Sequence, residues 1–302
     1  MALFNTSNGN VKLIKPKDIA LEKDLQSLVE KNLETFFNCR FVATEFSTGQ
    51  EHSGRIDSLA LSEDNNPVII EYKKVESSEL VNQSLYYLAW LRDHRGDFQV
   101  AVSKKLGEVD IDWNDIRVIC IAPGYKKYDL YAVQTMGANI ELWEYTYYED
   151  GSLHIEEVFR KSNVNISGKS TIGQKAAETK ANANYTVEAH LNKTSEAIKE
   201  LAQEIRDYAS DIDPSVAESP KKFYIAYKTS QNFLCMEVHK SKLLLYMKIK
   251  TDVLDEMQTN GRDVKKIGHY GTGNFELTIT NRAQLDQAKR LIKTSYDSIG
   301  GS

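Results

Sequence analysis

The hydrophobic residues in the first half of the chain fall into short blocks and alternating runs, which predict a sheet with helices beside it. Strands are expected at 40–47, 54–61, 67–74, 98–102, 116–122, 140–147 and 153–158, after a short lead-in strand at 11–14. Helices are expected at 19–37 with Asp18 as N-cap, from 77 to about 93, and at 128–136. The first half therefore predicts a mixed α/β unit.

The second half has a different pattern. Residues 161–184 carry almost no large apolar side chains and predict a basic flexible linker, either a solvated spacer or a segment that tracks phosphates. A helix at 185–212 follows, with strands at 223–228, 233–239, 243–249 and 276–280 and a helix at 283–296. Gly271 and Gly273 precede a strand and not a helix, so a hairpin turn is favoured over a phosphate cradle. Residues 185–302 therefore predict a small α+β domain.

Composition narrows the choice of function without assigning one. The 302 residues are 41% hydrophobic and 27% charged, with a formal net charge of −5, which is typical of a globular chain and argues against a general DNA coat protein. Cys39, Cys120 and Cys235 are scattered, so neither a zinc site nor a disulfide framework is expected. The sequence shows no signal-peptide pattern and no membrane-spanning run. We therefore predict a cytoplasmic protein.

Candidate chemistry lies in two strands joined by the polar turn at 62–66. The first strand carries Asp57, and the second carries Glu71 and Lys73, whose side chains point the same way. Burying two carboxylates and an amine is costly unless something compensates them, and a divalent metal such as Mg²⁺ would do so. The alternative is an internal Glu71–Lys73 ion pair, with Asp57 at an exposed strand end.

Two further polar residues lie on predicted helices. Glu22 falls on the apolar stripe of the first helix, whereas Glu30 and Glu34 are predicted to face solvent. Glu22 is therefore a candidate for the acidic site, although an acid near a helix N-terminus is favourable without any site. Gln83 lies on the same row of its helix as Tyr87, at the edge of the core face, where a glutamine is ordinarily a surface residue.

Taken together, residues 19–160 resemble the catalytic domain of the NucS/EndoMS-type endonucleases of the PD-(D/E)xK superfamily. The matching text is Leu21-Glu22-Lys23-Asp24-Leu25-Gln26, Gly54-Arg55-Ile56-Asp57, Ile70-Glu71-Tyr72-Lys73-Lys74 and Gln83-Ser84-Leu85-Tyr86-Tyr87-Leu88. The resemblance implies a restriction-endonuclease-like core with a central mixed sheet flanked by helices. It also implies metal binding by Asp57, Glu71 and the Tyr72 carbonyl, and catalytic roles for Glu22, Asp57, Glu71, Lys73 and Gln83. Arg55 and Lys74 become candidate nucleic-acid contacts.

The resemblance covers about half the chain. The N-terminal DNA-binding and dimerising domain of that family has no counterpart before residue 19, and residues 185–302 resemble a small, uncharacterised domain appended to such cores. The domains expected are thus 1–160 and 185–302, the second for substrate or partner binding. The function expected is a Mg²⁺-dependent (or Mn²⁺-dependent) endodeoxyribonuclease. Its partners would be DNA and a second copy in a homodimer, with no membrane and no nucleotide cofactor. The alternative is a non-catalytic nucleic-acid- or protein-binding module that retains the fold.

Overall fold

A computed structural model describes residues 2–6, 9–76, 79–135, 139–160, 185–250 and 261–300. The chain divides into two compact units, Met1–Ser162 and Asn163–Ser302. The predicted linker at 161–184 lies outside the described residues. No helix in the described ranges is long and apolar enough to cross a membrane.

The first unit is built on one six-stranded mixed sheet. Its elements in chain order are β1 (Leu3–Asn5), β2 (Lys12–Ile14), α1 (Glu22–Glu30), α2 (Leu33–Phe37), β3 (Cys39–Ser47), α3 (Gly49–His52), β4 (Arg55–Ser62), β5 (Pro67–Tyr72), α4 (Glu79–Asp93), α5 (Arg95–Leu106), β6 (Arg117–Ala122), α6 (Lys127–Thr135), β7 (Asn139–Tyr147) and β8 (Leu153–Arg160). The strand order is β3-β4-β5-β6-β7-β8. The β5–β6 and β6–β7 pairs are parallel and the other three are antiparallel.

Each face of this sheet carries its own core. Leu25, Val29 and Phe37 of α1 and α2 pack on one face, and α4 and α5 pack on the other through residues such as Leu88 and Phe98. All six residues of β5 are buried, because its two faces are both covered. Full burial of each large apolar side chain contributes about 1.5–3 kcal/mol, so the sheet centre contributes strongly to the stability of the unit.

Three helix boundaries differ from the sequence predictions. The expected helix at 19–37 is two helices, which separate at Asn32: its side-chain amide donates back to the Leu28 carbonyl (2.8 Å), and the residue occupies the N-cap position of α2. Its first helix begins after Leu21, so Asp18 is not the N-cap. The expected helix at 185–212 is likewise two, α7 (Val187–Leu191) and α8 (Glu196–Asp211).

The expected strand at 98–102 is wrong, since these residues lie inside α5. Phe98 and Val102 are buried, and Val100 between them is exposed. A strand would have placed all three on one face, whereas a helix puts only the residues four apart together. A short apolar run fits both periods, and here the packing of α5 decides between them.

The second unit is an antiparallel sheet with helices on one face. After α7 and α8 it contains β9 (Ala217–Pro220), β10 (Ile225–Lys228), β11 (Asn232–Val238), β12 (Leu243–Met247), β13 (Arg262–Asp263), β14 (Phe275–Ile279), a 3-10 turn (Arg282–Gln284) and α9 (Leu285–Ser298). The strand order is β13-β14-β12-β11-β10-β9. Apolar residues of α8 and α9 cover one face, while Tyr224, Cys235 and Tyr246 form a smaller cluster on the other.

Candidate functional site

The candidate site is a fork where β4 and β5 stop pairing. Their ladder ends at the Ser58–Ile70 pair. Beyond it, the Asp57 N–H donates to Glu71 Oε1 and the Tyr72 N–H donates to Asp57 Oδ2, both at 3.0 Å. Each backbone amide released by the fork is thus accepted by the carboxylate of the opposite strand. The fork therefore brings the two acids together and fixes one oxygen of each.

The charges of these two carboxylates are poorly compensated by hydrogen bonds and opposite charges. Glu71 is fully buried, and its Oε2 has no hydrogen-bond partner among the described residues. Burial, followed by the nearby Asp57 charge, holds the pKa of Glu71 well above its ordinary value. Burial is also the main cause that raises the pKa of Asp57 to about 6, against the opposing effects of the Tyr72 amide and Lys73. Two acids in this state attract protons or a cation.

Lys73 and Glu22 form the half-buried rim of the same site. Lys73 Nζ lies 3.5 Å from Glu22 Oε1, and the Lys74 N–H donates to Glu22 Oε2 at 3.1 Å. In the described part of the chain Lys73 makes no ion pair with Glu71, and Asp57 is not at an exposed strand end. The internal Glu71–Lys73 ion pair that the sequence left open is therefore wrong. Glu22, the first residue of α1, instead contacts both lysines, which directly follow β5.

Gln83 reaches the site through a tyrosine. Its Nε2 donates to the Tyr87 hydroxyl at 3.2 Å, and the Arg55 N–H donates to the same oxygen at 3.1 Å. A side chain at Gly54 would force Tyr87 to shift, because its Cβ would lie 2.7 Å from the Tyr87 ring. Gln83 thus fixes where β4 begins, and no hydrogen bond joins it to either acid in the described residues.

The two candidate phosphate contacts lie outside the buried pair. The Arg55 guanidinium is 66% exposed and lies 3.3 Å from Glu45, while Lys74 Nζ donates to the Ala20 carbonyl at 3.3 Å. Surface contacts of this kind are worth little and are easily exchanged. Both cations are therefore accessible to a ligand.

Two acids near the fork were not identified as site residues from the sequence. Glu45 lies on β3 opposite Asp57, with a left-handed φ of 49°, and its charge adds to the raised pKa of Asp57. Glu30 was predicted to face solvent, but it accepts from Ser58 Oγ (2.6 Å) and Gln26 Nε2 (3.1 Å). The signal available was the Gln26–Glu30 spacing, since polar residues four apart share a helix face.

The residues present fit a hard divalent cation. Asp57 and Glu71 offer carboxylate oxygens, and Glu71 Oε2 lacks a hydrogen-bond donor among the described residues; the Tyr72 carbonyl stays a predicted third ligand. Across the described ranges, no group of three or more His, Cys, Asp or Glu side chains could hold a metal. The protein would therefore supply two carboxylates, and Mg²⁺ ordinarily keeps several waters and takes oxygens from its substrate.

Comparisons with known proteins cover both units. Residues 187–299 match a family model described as a domain of unknown function, DUF5655. An uncharacterised protein of Haemophilus influenzae is 28% identical over 301 residues, which is 97% of this chain and 98% of that one.

Two solved structures were also matched, each at 17% identity. The structure of an EndoMS–dsDNA complex aligns with a TM-score of 0.31 over 48% of this chain and 64% of that one. A repair endonuclease from Pyrococcus abyssi aligns with a TM-score of 0.27 over 43% of this chain and 54% of that one. The matched part of this chain thus spans less than two thirds of either structure.

Proposed function

We propose that the chain is a metal-dependent nuclease that hydrolyses phosphodiester bonds of DNA, acting as an endonuclease. The observation that carries the proposal is the buried Asp57–Glu71 pair at the β4–β5 fork. Glu71 Oε2 has no hydrogen-bond partner among the described residues, and the charge of Lys73 acts to lower the pKa of Glu71 against the larger effect of burial. A fold that only needed the strands to pair would gain by replacing these acids, because an uncompensated buried carboxylate is costly. The choice of DNA and of internal cleavage rests on the sequence resemblance.

Each site residue then has a defined part. Asp57, Glu71 and the Tyr72 carbonyl would hold Mg²⁺ or Mn²⁺, which when bound lowers the pKa of water and offsets charge on a phosphate. Lys73 would supply positive charge that stabilises an attacking hydroxide. Glu22 orients Lys73, since their charged atoms lie 3.5 Å apart. Arg55 and Lys74 would contact phosphates, and Gln83 positions β4 through Tyr87.

The decisive test is cleavage of a panel of labelled DNAs with Mg²⁺ or Mn²⁺. The panel would contain single strands, duplexes, mismatches, flaps and branched forms. Wild type would be compared with Asp57→Ala and Lys73→Ala, and with Asp93→Ala and Lys104→Ala as exposed controls of the same residue types. We expect the site variants to lose at least about a hundredfold in rate and the controls to keep it.

Two outcomes would overturn the nuclease. One is cleavage that persists in both site variants, which would point to a contaminating enzyme. The other is no cleavage of any panel member together with no heat of Mg²⁺ or Mn²⁺ binding by calorimetry. That result would favour the non-catalytic binding module. A homodimer remains a prediction, which light scattering of the purified chain would test.

A further inference from the structure

A row of polar residues runs along the side of α1 that meets the sheet. Glu22, Gln26 and Glu30 are spaced four apart, so they share one side of the helix. Glu22 contacts Lys73 and Lys74, which follow β5, whereas Gln26 and Glu30 make hydrogen bonds to β4. One helix therefore joins the lysine rim of the candidate site to the strand on the other side of the fork.

Gln26 is the buried member of this row, with 5% of its surface exposed. Its Nε2 donates to the Asp57 carbonyl at 2.7 Å, and to Thr44 Oγ1 and Glu30 Oε1, both at 3.1 Å. The shortest of these contacts is the one to the main chain of Asp57. Gln26 thus holds, through its backbone, a residue that carries one of the two acids.

The Asp57 carbonyl needs a donor because the strands separate there. The β4–β5 ladder ends at the Ser58–Ile70 pair, and the Asp57 N–H is accepted by the Glu71 carboxylate. A partly buried carbonyl without a donor is costly, so the fork requires a substitute for the ladder, and Gln26 supplies it. If β4 and β5 only had to pair, the ladder could continue and an apolar residue would suit this buried position of α1 better.

A second chain of hydrogen bonds holds Gln26 in place. The Ser58 hydroxyl donates to Glu30 Oε1 at 2.6 Å and lies 3.2 Å from the Tyr72 hydroxyl. Glu30 Oε1 is also the atom that accepts from Gln26. Ser58 and Tyr72 each follow one of the two acids directly, so their side chains lie on the face of the sheet opposite to the carboxylates. The network therefore braces both strands of the fork from the α1 side.

We propose that Gln26 is a positioning residue, which fixes the Asp57 carboxylate by holding the Asp57 main chain from the α1 side of the sheet. In the described part of the chain it makes no hydrogen bond to either carboxylate. It determines where β4 leaves β5, and therefore where the two carboxylates converge. The effect of Gln26 on cation binding rests on the proposed function, whereas its effect on the fork does not.

The first experiment tests the fork without metal. Hydrogen exchange measured by NMR on the full chain would follow the amides of Asp57 and Tyr72, each of which donates to the opposite carboxylate. Gln26→Met keeps the length of the side chain and removes its donor. We expect both amides to exchange about tenfold faster, while the Ile119 amide on β6 keeps its rate. Gln99→Met on α5 is the matched control, because Gln99 also donates to a main-chain carbonyl, at 3.4 Å, and it should leave all three rates unchanged.

A second variant keeps the test open if Gln26→Met does not fold. Gln26→Asn retains the amide but is one methylene shorter, so it cannot reach the Asp57 carbonyl and should accelerate the same two amides. Unchanged exchange at Asp57 and Tyr72 would overturn the proposal. An equal acceleration at Ile119 would also overturn it, since Gln26 would then contribute only to the stability of the whole sheet.

Calorimetry with Mg²⁺ or Mn²⁺ extends the test to the cation. Gln26→Met should weaken binding at least about tenfold, because groups that orient metal ligands without touching the metal have effects of this size, and Gln99→Met should not. In DNA cleavage, Gln26→Met should need more Mg²⁺ for half its maximal rate and recover most of the wild-type rate at saturating Mg²⁺. Unchanged cation affinity in Gln26→Met would overturn the link between Gln26 and the Asp57 carboxylate.

The outcomes separate this inference from the proposed function. If Gln26→Met accelerates only the fork amides but the wild type neither binds a cation nor cuts DNA, Gln26 holds the fork and the nuclease fails. If the wild type binds Mg²⁺ and cuts DNA but Gln26→Met behaves like Gln99→Met in every measurement, the nuclease stands and the role of Gln26 fails.

Discussion

Two buried glutamates on the same sheet differ in the hydrogen bonds and opposite charges that they receive. Glu141 on β7 receives the Arg117 guanidinium through two contacts, at 2.6 and 2.8 Å, and the Trp143 indole N–H at 3.1 Å. Glu71 on β5 receives a single backbone amide, and its second oxygen has no hydrogen-bond partner in the described residues. Both side chains are buried, so the difference is in compensation and not in depth.

On the proposed function, the difference is the one expected between a structural acid and an acid that binds a ligand. A buried charge with a bidentate partner and further hydrogen bonds is satisfied within the fold. A buried charge without one raises the energy of the folded state until a proton or a cation arrives. Compensation, more than burial, is therefore the property on which our proposal of Glu71 as a site residue rests.

The largest expected effect comes from neutralising each glutamate in turn. Glu141→Gln should lower the free energy of unfolding by about 3–5 kcal/mol, because it leaves the buried Arg117 unpaired. Glu71→Gln should be neutral or slightly stabilising, because it removes a charge and keeps an oxygen for the Asp57 amide. Urea unfolding of the full chain measures both values.

The exposed Glu156→Gln on β8 serves as the control for removing an acid from this sheet, with a change within about 0.5 kcal/mol. Equal losses in Glu71→Gln and Glu141→Gln would contradict the comparison, since they would mean that Glu71 is as well compensated as Glu141.

The second prediction concerns pH. The folded state raises the pKa of Asp57 from 3.8 to about 6, and Glu71 shifts in the same direction. The folded protein therefore holds these protons more tightly than the unfolded chain. The stability they confer is present below about pH 4 and is lost as the pH rises through 6. For Asp57 the loss is at most about 3 kcal/mol.

The measurement is urea unfolding at intervals between pH 4 and 7 for the wild type and the Asp57→Asn/Glu71→Gln double variant. Other titrating groups are common to both proteins, so they cancel in the difference. The wild type should fall below the double variant as the pH rises. Parallel curves would show that the fork acids are not perturbed.

The sequence predicts the strands that carry this site better than it predicts the hydrogen bonds that the two acids accept. Strand β5 is recognisable because a run of β-branched residues from Pro67 is typical of a buried strand, and all of it is buried. The positions of Asp57 and Glu71 on adjacent strands follow from the turn between them. That each acid accepts the amide opposite depends on where the β4–β5 ladder ends, which is set by tertiary packing.

Two other features beside the site were not predicted from the sequence. The left-handed φ of Glu45 belongs to a residue type that rarely adopts it, so no local rule predicts it. The prediction that Glu30 faces solvent was wrong. Helical periodicity gives the face of α1 on which Glu30 lies, but it does not show that Ser58 on β4 donates a hydrogen bond to it. Both errors fall beside the candidate site, where local preferences and the fold disagree.

The third prediction tests the cation at the fork. Mg²⁺ at ten times its dissociation constant at pH 7 should stabilise the wild type at that pH by about 1.4 kcal/mol and raise the melting temperature. The effect should grow from pH 5 to 7, because protons compete for the same two carboxylates. Asp57→Asn should abolish it and Glu156→Gln should retain it. Thermal unfolding with and without Mg²⁺ measures the shift, and a shift that survives in Asp57→Asn would place the cation elsewhere.

The smallest effect separates backbone strain from charge at Glu45. Its φ of 49° costs an ordinary residue about 1 kcal/mol, and glycine avoids this cost. Glu45→Gly should therefore be more stable than Glu45→Ala by about 1 kcal/mol in urea unfolding. Both variants remove the charge that helps to raise the pKa of Asp57, so both should lower that pKa equally. If alanine and glycine are equally stable, β3 relaxes without cost. The strained strand would then not hold Glu45 against Asp57, and the perturbation at the fork would come from burial and the Glu71 charge.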